Sequence, residues 1–141
     1  SCARMELQLL LEDFRTKQSQ LEMITEVLEE ETLSVPYADK LLAIKGVGLI
    51  TVAGFLAEVG DVRRFDSPKQ IQKLAGLEVK ENSSGKHRGR SSISKRGRKR
   101  LRKILFQVML PMIQNNAEFG EIYQYFTTRQ KNPLKGKQAA S

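Results

Sequence analysis

LLAIKGVGLITVAGFLAEVGDVRRF, residues Leu41 to Phe65, decides the fold class. Two apolar helical stretches flank Gly46-Val47-Gly48, and Gly60 stands where a helix C-terminal stop belongs. The pattern is that of a helix–hairpin–helix over about residues 41–60. Glycine permits both a tight turn and the close approach of a phosphate to exposed backbone N–H groups. Such hairpins suit sequence-independent contact with a nucleic-acid backbone. Gly46 and Gly48 are therefore candidate phosphate contacts. The alternative is a plain helical hairpin whose glycines serve packing, and apolar Leu49-Ile50 directly after Gly48 weighs toward it.

Upstream, a long helix is predicted over about Ala3 to Leu33. Leu7, Leu10, Phe14, Leu21, Ile24 and Leu28 recur at a 3.5-residue spacing with only Lys17 out of place, which is coiled-coil-like. Acidic side chains outnumber basic ones here, so this helix is not expected to touch nucleic acid. The stripe implies a homodimer or higher assembly, or packing against the chain's own globular part. Ser34-Val35-Pro36 breaks the helix, and Pro36 suits the first turn of a new one. Two domains result, a coiled-coil helix (1–35) and a helical domain (36–141).

Downstream, Ser67-Pro68-Lys69-Gln70 predicts a helix start with Ser67 as cap, Pro68 at the first position and Gln70 where a capping box wants it. Gly76 ends this short helix. A loop of about twenty residues, Leu77 to Arg96, then runs without apolar periodicity or clear strand alternation. A loop so long within a compact domain points to function or disorder. From Lys86 to Lys103 no Asp or Glu interrupts Lys86, Arg88, Arg90, Lys95, Arg96, Arg98, Lys99, Arg100, Arg102 and Lys103. That much like charge costs self-repulsion unless a polyanion neutralises it. GRKRLRK (Gly97–Lys103) leads into an apolar helical pattern, with Ser94 a candidate cap. A helix start normally favours Asp or Glu, so cations there mark a phosphate seat rather than a folding device. The apolar face continues from Leu101 to Ile113, with Pro111 inside it. Asn115-Asn116 ends that helix and caps a last one. The chain is predicted all-α, with one long basic loop at about 77–97.

Bulk properties agree. At 141 residues the chain has length for a real core, and its net charge of +8 suits a nucleic-acid-binding domain. The single cysteine, Cys2, excludes an internal disulfide and suggests a reducing compartment. No run of about 18 apolar residues predicts a membrane span. A cytoplasmic protein is expected.

The segments IKGVGLITVAGFLAEVGDVRRFDSPKQ, LAGL, SSGKHRG, ISKRGRKRLRKIL and KGK together resemble the C-terminal transposase domain of the insertion-sequence-110/116/902 family. The resemblance covers about two thirds of the chain, from Leu42 to about Lys137. It implies an insertion-sequence DNA transposase or site-specific recombinase, with DNA and a guide (bridge) RNA as partners. It also implies a RuvC-like nuclease domain with acidic ligands for Mg2+. That domain has no counterpart here, so the chain reads as part of a longer protein, with no cofactor or metal ligands of its own. The family's nucleophile is the serine directly before glycine, reached after AGL and six further residues; that position is Ser84, next to Gly85. Family members commonly carry proline shortly after AGL, where this chain has Glu78-Val79.

The residues allow this chemistry without completing it. A serine hydroxyl is a poor nucleophile unless a base or strong stabilisation of the displaced phosphoryl group assists it. Phosphoryl transfer depends on in-line placement and charge neutralisation. Lys86, Arg88, Arg90, Lys95, Arg96, Arg98, Lys99 and Arg100 can neutralise, and Gly85 permits close approach. No base is evident, and His87, Glu78 and Glu81 read as solvated loop residues. The chain alone is expected to bind nucleic acid weakly and not to recombine DNA. The alternative function is a non-catalytic helix-hairpin-helix module that clamps DNA or RNA.

Overall fold

Helix α1 runs unbroken for 32 residues, Cys2–Leu33, as the heptad-like spacing predicts. The structure is a computed structural model that describes residues 1–80, 83–84, 87–88 and 92–129, of which 83–84 and 87–88 are described by their strand pairing alone. The chain forms two compact units, Ser1–Asp39 and Lys40–Ser141. Within the first unit, Leu7, Leu10, Phe14, Leu21 and Ile24 are all exposed, as are Leu9 and Leu11 off the predicted stripe. Thr16 and Thr25 fold their hydroxyls back onto the carbonyls four residues earlier, so they cost the helix no unpaired polar group. Pro36 lies in the turn after α1, and α2 begins two residues later, at Ala38–Leu42.

The second unit is helical, as expected. Its helices are α3 (Leu49–Val59), α4 (Pro68–Leu74), α5 (Lys99–Asn115) and α6 (Ala117–Thr128), with a 3-10 turn at Val62–Arg64. Gly60 ends α3 at φ 71°, its N–H on the Leu56 carbonyl, so the positive φ that glycine tolerates is used here. Asp61 then caps the 3-10 turn by accepting from the Arg63 N–H. Pro68 occupies the start of α4, but Ser67 makes no side-chain cap. Gln70 instead reaches one residue further back, its Oε1 accepting from the Asp66 N–H at 3.1 Å. Asn116 caps α6, accepting from the Glu118 N–H.

Val59, Ala75 and Leu101 are fully buried at the centre of the core, one from each of α3, the α4 end and α5. Phe55, Phe65, Leu74 and Leu105 pack around them. Helix α5 is the hub, packing on both α3 and α6. Gly54 lets α3 approach closely, since a Cβ there would meet Ile104 Cδ1 at 2.9 Å.

The long loop differs from expectation. It contains two short antiparallel ladders, Val79↔Ile93 with Lys80↔Ser92, and Ser83↔Arg88 with Ser84↔His87. We number the strands β1 (Val79–Lys80), β2 (Ser83–Ser84), β3 (His87–Arg88) and β4 (Ser92–Ile93). Strands of two residues are too short to show alternation, so the ribbon has no legible signal in the sequence. Two residues separate the ladders on one side and three on the other, so the register steps by one between them.

Candidate nucleic-acid interface

The ribbon arm springs from a backbone clasp between the end of α4 and the start of α5. The Ser94 N–H donates to the Glu78 carbonyl, Lys95 N–H to Gly76, and Arg98 N–H to Leu74, at 2.7, 2.9 and 2.7 Å. Two glycines allow this approach. A Cβ on Gly97 would lie 2.4 Å from the Leu74 carbonyl oxygen and 2.6 Å from the Gly76 nitrogen. Gly76 has φ +70 and would press on the Lys95 and Arg96 carbonyl carbons. Lys95 itself sits at φ 54°, turning the chain from β4 toward α5. Arg102 locks the junction from within α5, its Nη1 donating to the Ala75 carbonyl at 2.9 Å and the Lys95 carbonyl at 3.4 Å. Arg102 is thus a structural cation, half-buried and committed to carbonyl oxygens.

The basic approach to α5 is built as the sequence implies, with one addition. Arg98 is the N-cap residue, no side chain caps the helix, and no acid stands in its first turn. Ser94 does not cap α5; its Oγ accepts from the Arg96 N–H at 3.4 Å instead. The addition is Glu58, brought by α3 from forty residues upstream of Arg98. Its carboxylate lies 3.6 Å from Arg98 Nη1 and 3.7 Å from Arg100 Nε, and its backbone carbonyl accepts from Arg98 Nη1 at 2.7 Å. Local sequence around the basic run could not show it. The signal lies elsewhere: Glu58 is the one charged residue in the apolar helix LITVAGFLAEV. Lys95, Arg96, Lys99 and Lys103 are exposed and make no ion pair among the described residues.

Ser84 is placed beside the tip of the arm, its backbone paired with His87, with Gly85 and Lys86 between them in sequence. Ser83 pairs with Arg88 in the same ladder. Gly85, Lys86 and Arg90 lie outside the described residues, as do Glu81 and KGK (135–137).

The Gly46-Val47-Gly48 turn divides its two glycines. Gly46 has φ +93, and a Cβ there would fall 2.6 Å from the Pro111 carbonyl oxygen and 2.8 Å from Met112 Cα. It packs against the middle of α5, so its glycine has a folding reason. Gly48 is the N-cap of α3 in extended conformation, exposed, with nothing within 4 Å of where a Cβ would be. At this turn Gly48 and Lys45 are exposed and Gly46 is half-buried.

A groove of about 520 Å3 opens beside the clasp, lined by Phe65, Gln70, Lys73, Leu74, Arg96, Gly97 and Arg98. Neither Phe65 nor Lys73 stands out in the sequence as a site residue. Among the described residues, no three His, Cys, Asp or Glu side chains are grouped to hold a metal ion, and no helix is long and apolar enough to cross a membrane.

Residues 38–124 match the family described as transposase IS116/IS110/IS902. Among curated proteins, the chain is 42% identical over 67 residues to y4qE of Sinorhizobium fredii, covering 48% of this chain and 17% of that one. It is 32% identical over 97 residues to the transposase for insertion sequence element IS1111A of Coxiella burnetii, covering 64% of this chain and 27% of the relative. With the transposase for insertion sequence element IS1328 of Yersinia enterocolitica it shares 33% over 88 residues, covering 62% and 26%. The chain therefore spans between about a sixth and just over a quarter of the length of these relatives.

Proposed function

Because the chain belongs to the transposase IS116/IS110/IS902 family, we propose that it is the part of a DNA recombinase that carries a serine nucleophile, Ser84, on a cation-flanked ribbon arm. The observation that carries this reading is the arm itself. Ser84 sits one residue from the hairpin connection, at the far end from a clasp that is pinned by three backbone hydrogen bonds and Arg102. A two-stranded ribbon fits the major groove of a duplex, so an arm of this kind can carry a hydroxyl to a nucleic-acid backbone.

The Ser84 hydroxyl displaces a sugar oxygen from phosphorus, so that one P–O bond forms and one breaks. The serine proton is lost as the departing sugar oxygen gains one. This chain's contribution is placement and neutralisation. Lys95, Arg96, Lys99 and Arg100 at the foot, with Lys86, Arg88 and Arg90 on the arm, hold the phosphodiester backbone. Gly48 adds a backbone contact from the helix-hairpin-helix turn. The carboxylates that would hold Mg2+ are assigned to the nuclease domain that the family resemblance implies.

DNA is the proposed substrate and a guide RNA a further partner, since a basic face that grips phosphates accepts either backbone. The exposed Leu7, Leu10, Phe14, Leu21 and Ile24 of α1 support self-association through that helix. A second reading, a clamp without chemistry, rests on the same cations and predicts binding with no covalent product.

Trapping separates the two. In the complete recombinase incubated with its DNA, Ser84→Ala should abolish the covalent protein–DNA adduct while Ser83→Ala retains it. An adduct that survives in Ser84→Ala refutes the nucleophile assignment.

A further inference from the structure

The groove beside the clasp has a floor and a rim of opposite character. Phe65 and Leu74 form the apolar floor, both half-buried and both packed onto the Val59–Ala75–Leu101 core. Lys73, Arg96 and Arg98 supply three cations around it, and among the described residues no carboxylate lines it. We propose that this groove holds one unpaired nucleotide, its base against Phe65 and Leu74 and its flanking phosphates at Lys73 and Arg96. The inference rests on the nucleic-acid reading above and adds to it a site for a single-stranded residue.

Four features support that occupant. The volume of about 520 Å3 falls within the range of roughly 300–1,000 Å3 over which small-molecule clefts operate. The Phe65 ring is already polarised, with the Arg64 guanidinium carbon 5.0 Å from its centroid. Aromatic and guanidinium groups together are the usual platform for an unstacked base. Gly97 contributes no side chain, so at that position the groove is lined by backbone alone. Lys73 and Arg96 make no ion pair among the described residues, whereas Arg98 is drawn toward Glu58. The two uncommitted cations are therefore the phosphate contacts.

A base inside a duplex is stacked on both faces and hydrogen-bonded along its edge, so it cannot lie on Phe65 without leaving the helix. Gln70 is the lining residue suited to reading a base edge. Its Oε1 and Nε2 are both engaged with Asp66, at 3.1 and 3.3 Å. The groove is thus expected to tolerate any base. Its position gives it a use, because Arg96 and Gly97 directly follow the arm. A strand engaged by the arm has a displaced nucleotide to lodge close by.

The test compares two probes of equal length, a single-stranded oligodeoxynucleotide and a blunt duplex, titrated with the chain by fluorescence anisotropy. Phe65→Leu keeps the apolar floor and removes the ring. It should weaken single-strand binding about fivefold or more and leave duplex binding within about twofold. Lys73→Gln is an exposed change that spares the core. It should lower the slope of log affinity against log salt by about 0.7 for the single strand only. Circular dichroism checks that both variants fold, and Lys73→Gln decides alone should Phe65→Leu not fold. Equal losses on both probes, or no loss on either, would overturn the groove assignment while leaving the basic interface standing. If the unmodified chain binds neither probe at low salt, the interface and the groove fall together.

Discussion

Gly97→Ala is the most demanding test of the clasp. The added methyl would sit 2.4 Å from the Leu74 oxygen, 2.6 Å from the Gly76 nitrogen and 3.0 Å from the Ala75 carbonyl carbon. All three are backbone atoms, so no side chain can rotate out of the way. Relief requires α4 and α5 to part by more than half an ångström, which stretches the Arg98-to-Leu74 and Lys95-to-Gly76 hydrogen bonds from 2.7 and 2.9 Å. Overpacking of this kind costs about 1–3 kcal/mol. Each weakened backbone bond adds about 1 kcal/mol. The expected destabilisation is therefore about 3–5 kcal/mol, a large fraction of the roughly 5–15 kcal/mol that holds a domain together. At about 4–8 °C per kcal/mol for a unit of this size, the melting temperature should fall by ten degrees or more. The assay is thermal unfolding followed by circular dichroism at 222 nm. Gly48→Ser is the matched control, because that position is open and serine is a good N-cap. It should leave stability within about 0.5 kcal/mol or raise it slightly. A Gly97→Ala protein that melts within about two degrees of the unmodified chain would refute the clasp as the anchor of the arm.

Three further outcomes follow from the same geometry. Arg102→Met removes the donor to the Ala75 and Lys95 carbonyls and should cost about 1–3 kcal/mol; combined with Gly97→Ala the loss should be less than additive, because both disturb one junction. Glu58→Gln should change stability by less than about 1 kcal/mol, since its ion pairs are long and Arg100 is largely exposed. It should also raise duplex affinity at low salt, read by anisotropy, and weaker binding would contradict a competing role for that carboxylate. Phe14→Asp in α1 should convert a concentration-dependent assembly to monomer in analytical ultracentrifugation while α1 stays helical; a monomer before mutation would remove the self-association proposal.

Local devices in this chain are legible because their causes are local. Pro68 at the first turn of α4, Gly60 at the end of α3 and Asn116 at the start of α6 each act through their own backbone or a neighbour two to four residues away. The ribbon arm is not legible, for the opposite reason. Its register depends on bonds such as Glu78 to Ser94, Gly76 to Lys95 and Leu74 to Arg98, whose partners lie sixteen to twenty-four residues apart. Two-residue strands carry too little pattern to announce such a pairing. Ser67 and Ser94 show where a good local rule is overruled. Each has the right chemistry for a cap, but the Gln70 N–H donates to the Ser67 carbonyl rather than its hydroxyl, and α5 starts at Lys99, five residues beyond Ser94. The glycine turn is half legible: both glycines stand out in the sequence, but only the packing of α5 reveals that Gly46 is spent on Pro111 and Gly48 is open.

The unbroken run of cations in the sequence overstates the charge available to a ligand, and the structure shows how it is divided. Arg102 is consumed by carbonyl oxygens inside the clasp, and Arg98 donates to the Glu58 backbone beside a carboxylate that also faces Arg100. The Glu58 carboxylate lowers the self-repulsion at the foot of the arm. One carboxylate does not neutralise the foot, and Lys95, Arg96, Lys99 and Lys103 stay outside its ion pairs. On the proposed reading, Glu58 stands where a phosphate would sit against Arg98 and Arg100, at distances of 3.6 and 3.7 Å that are too long for strong ion pairs. A phosphate able to approach closer than that, and to take bidentate bonds from a guanidinium, would draw Arg100 away first, since that side chain is the more exposed of the two. Arg98 would follow less readily because its 2.7 Å bond to the Glu58 carbonyl holds it to α3. The order in which these two arginines change partner is thus set by a backbone hydrogen bond rather than by charge.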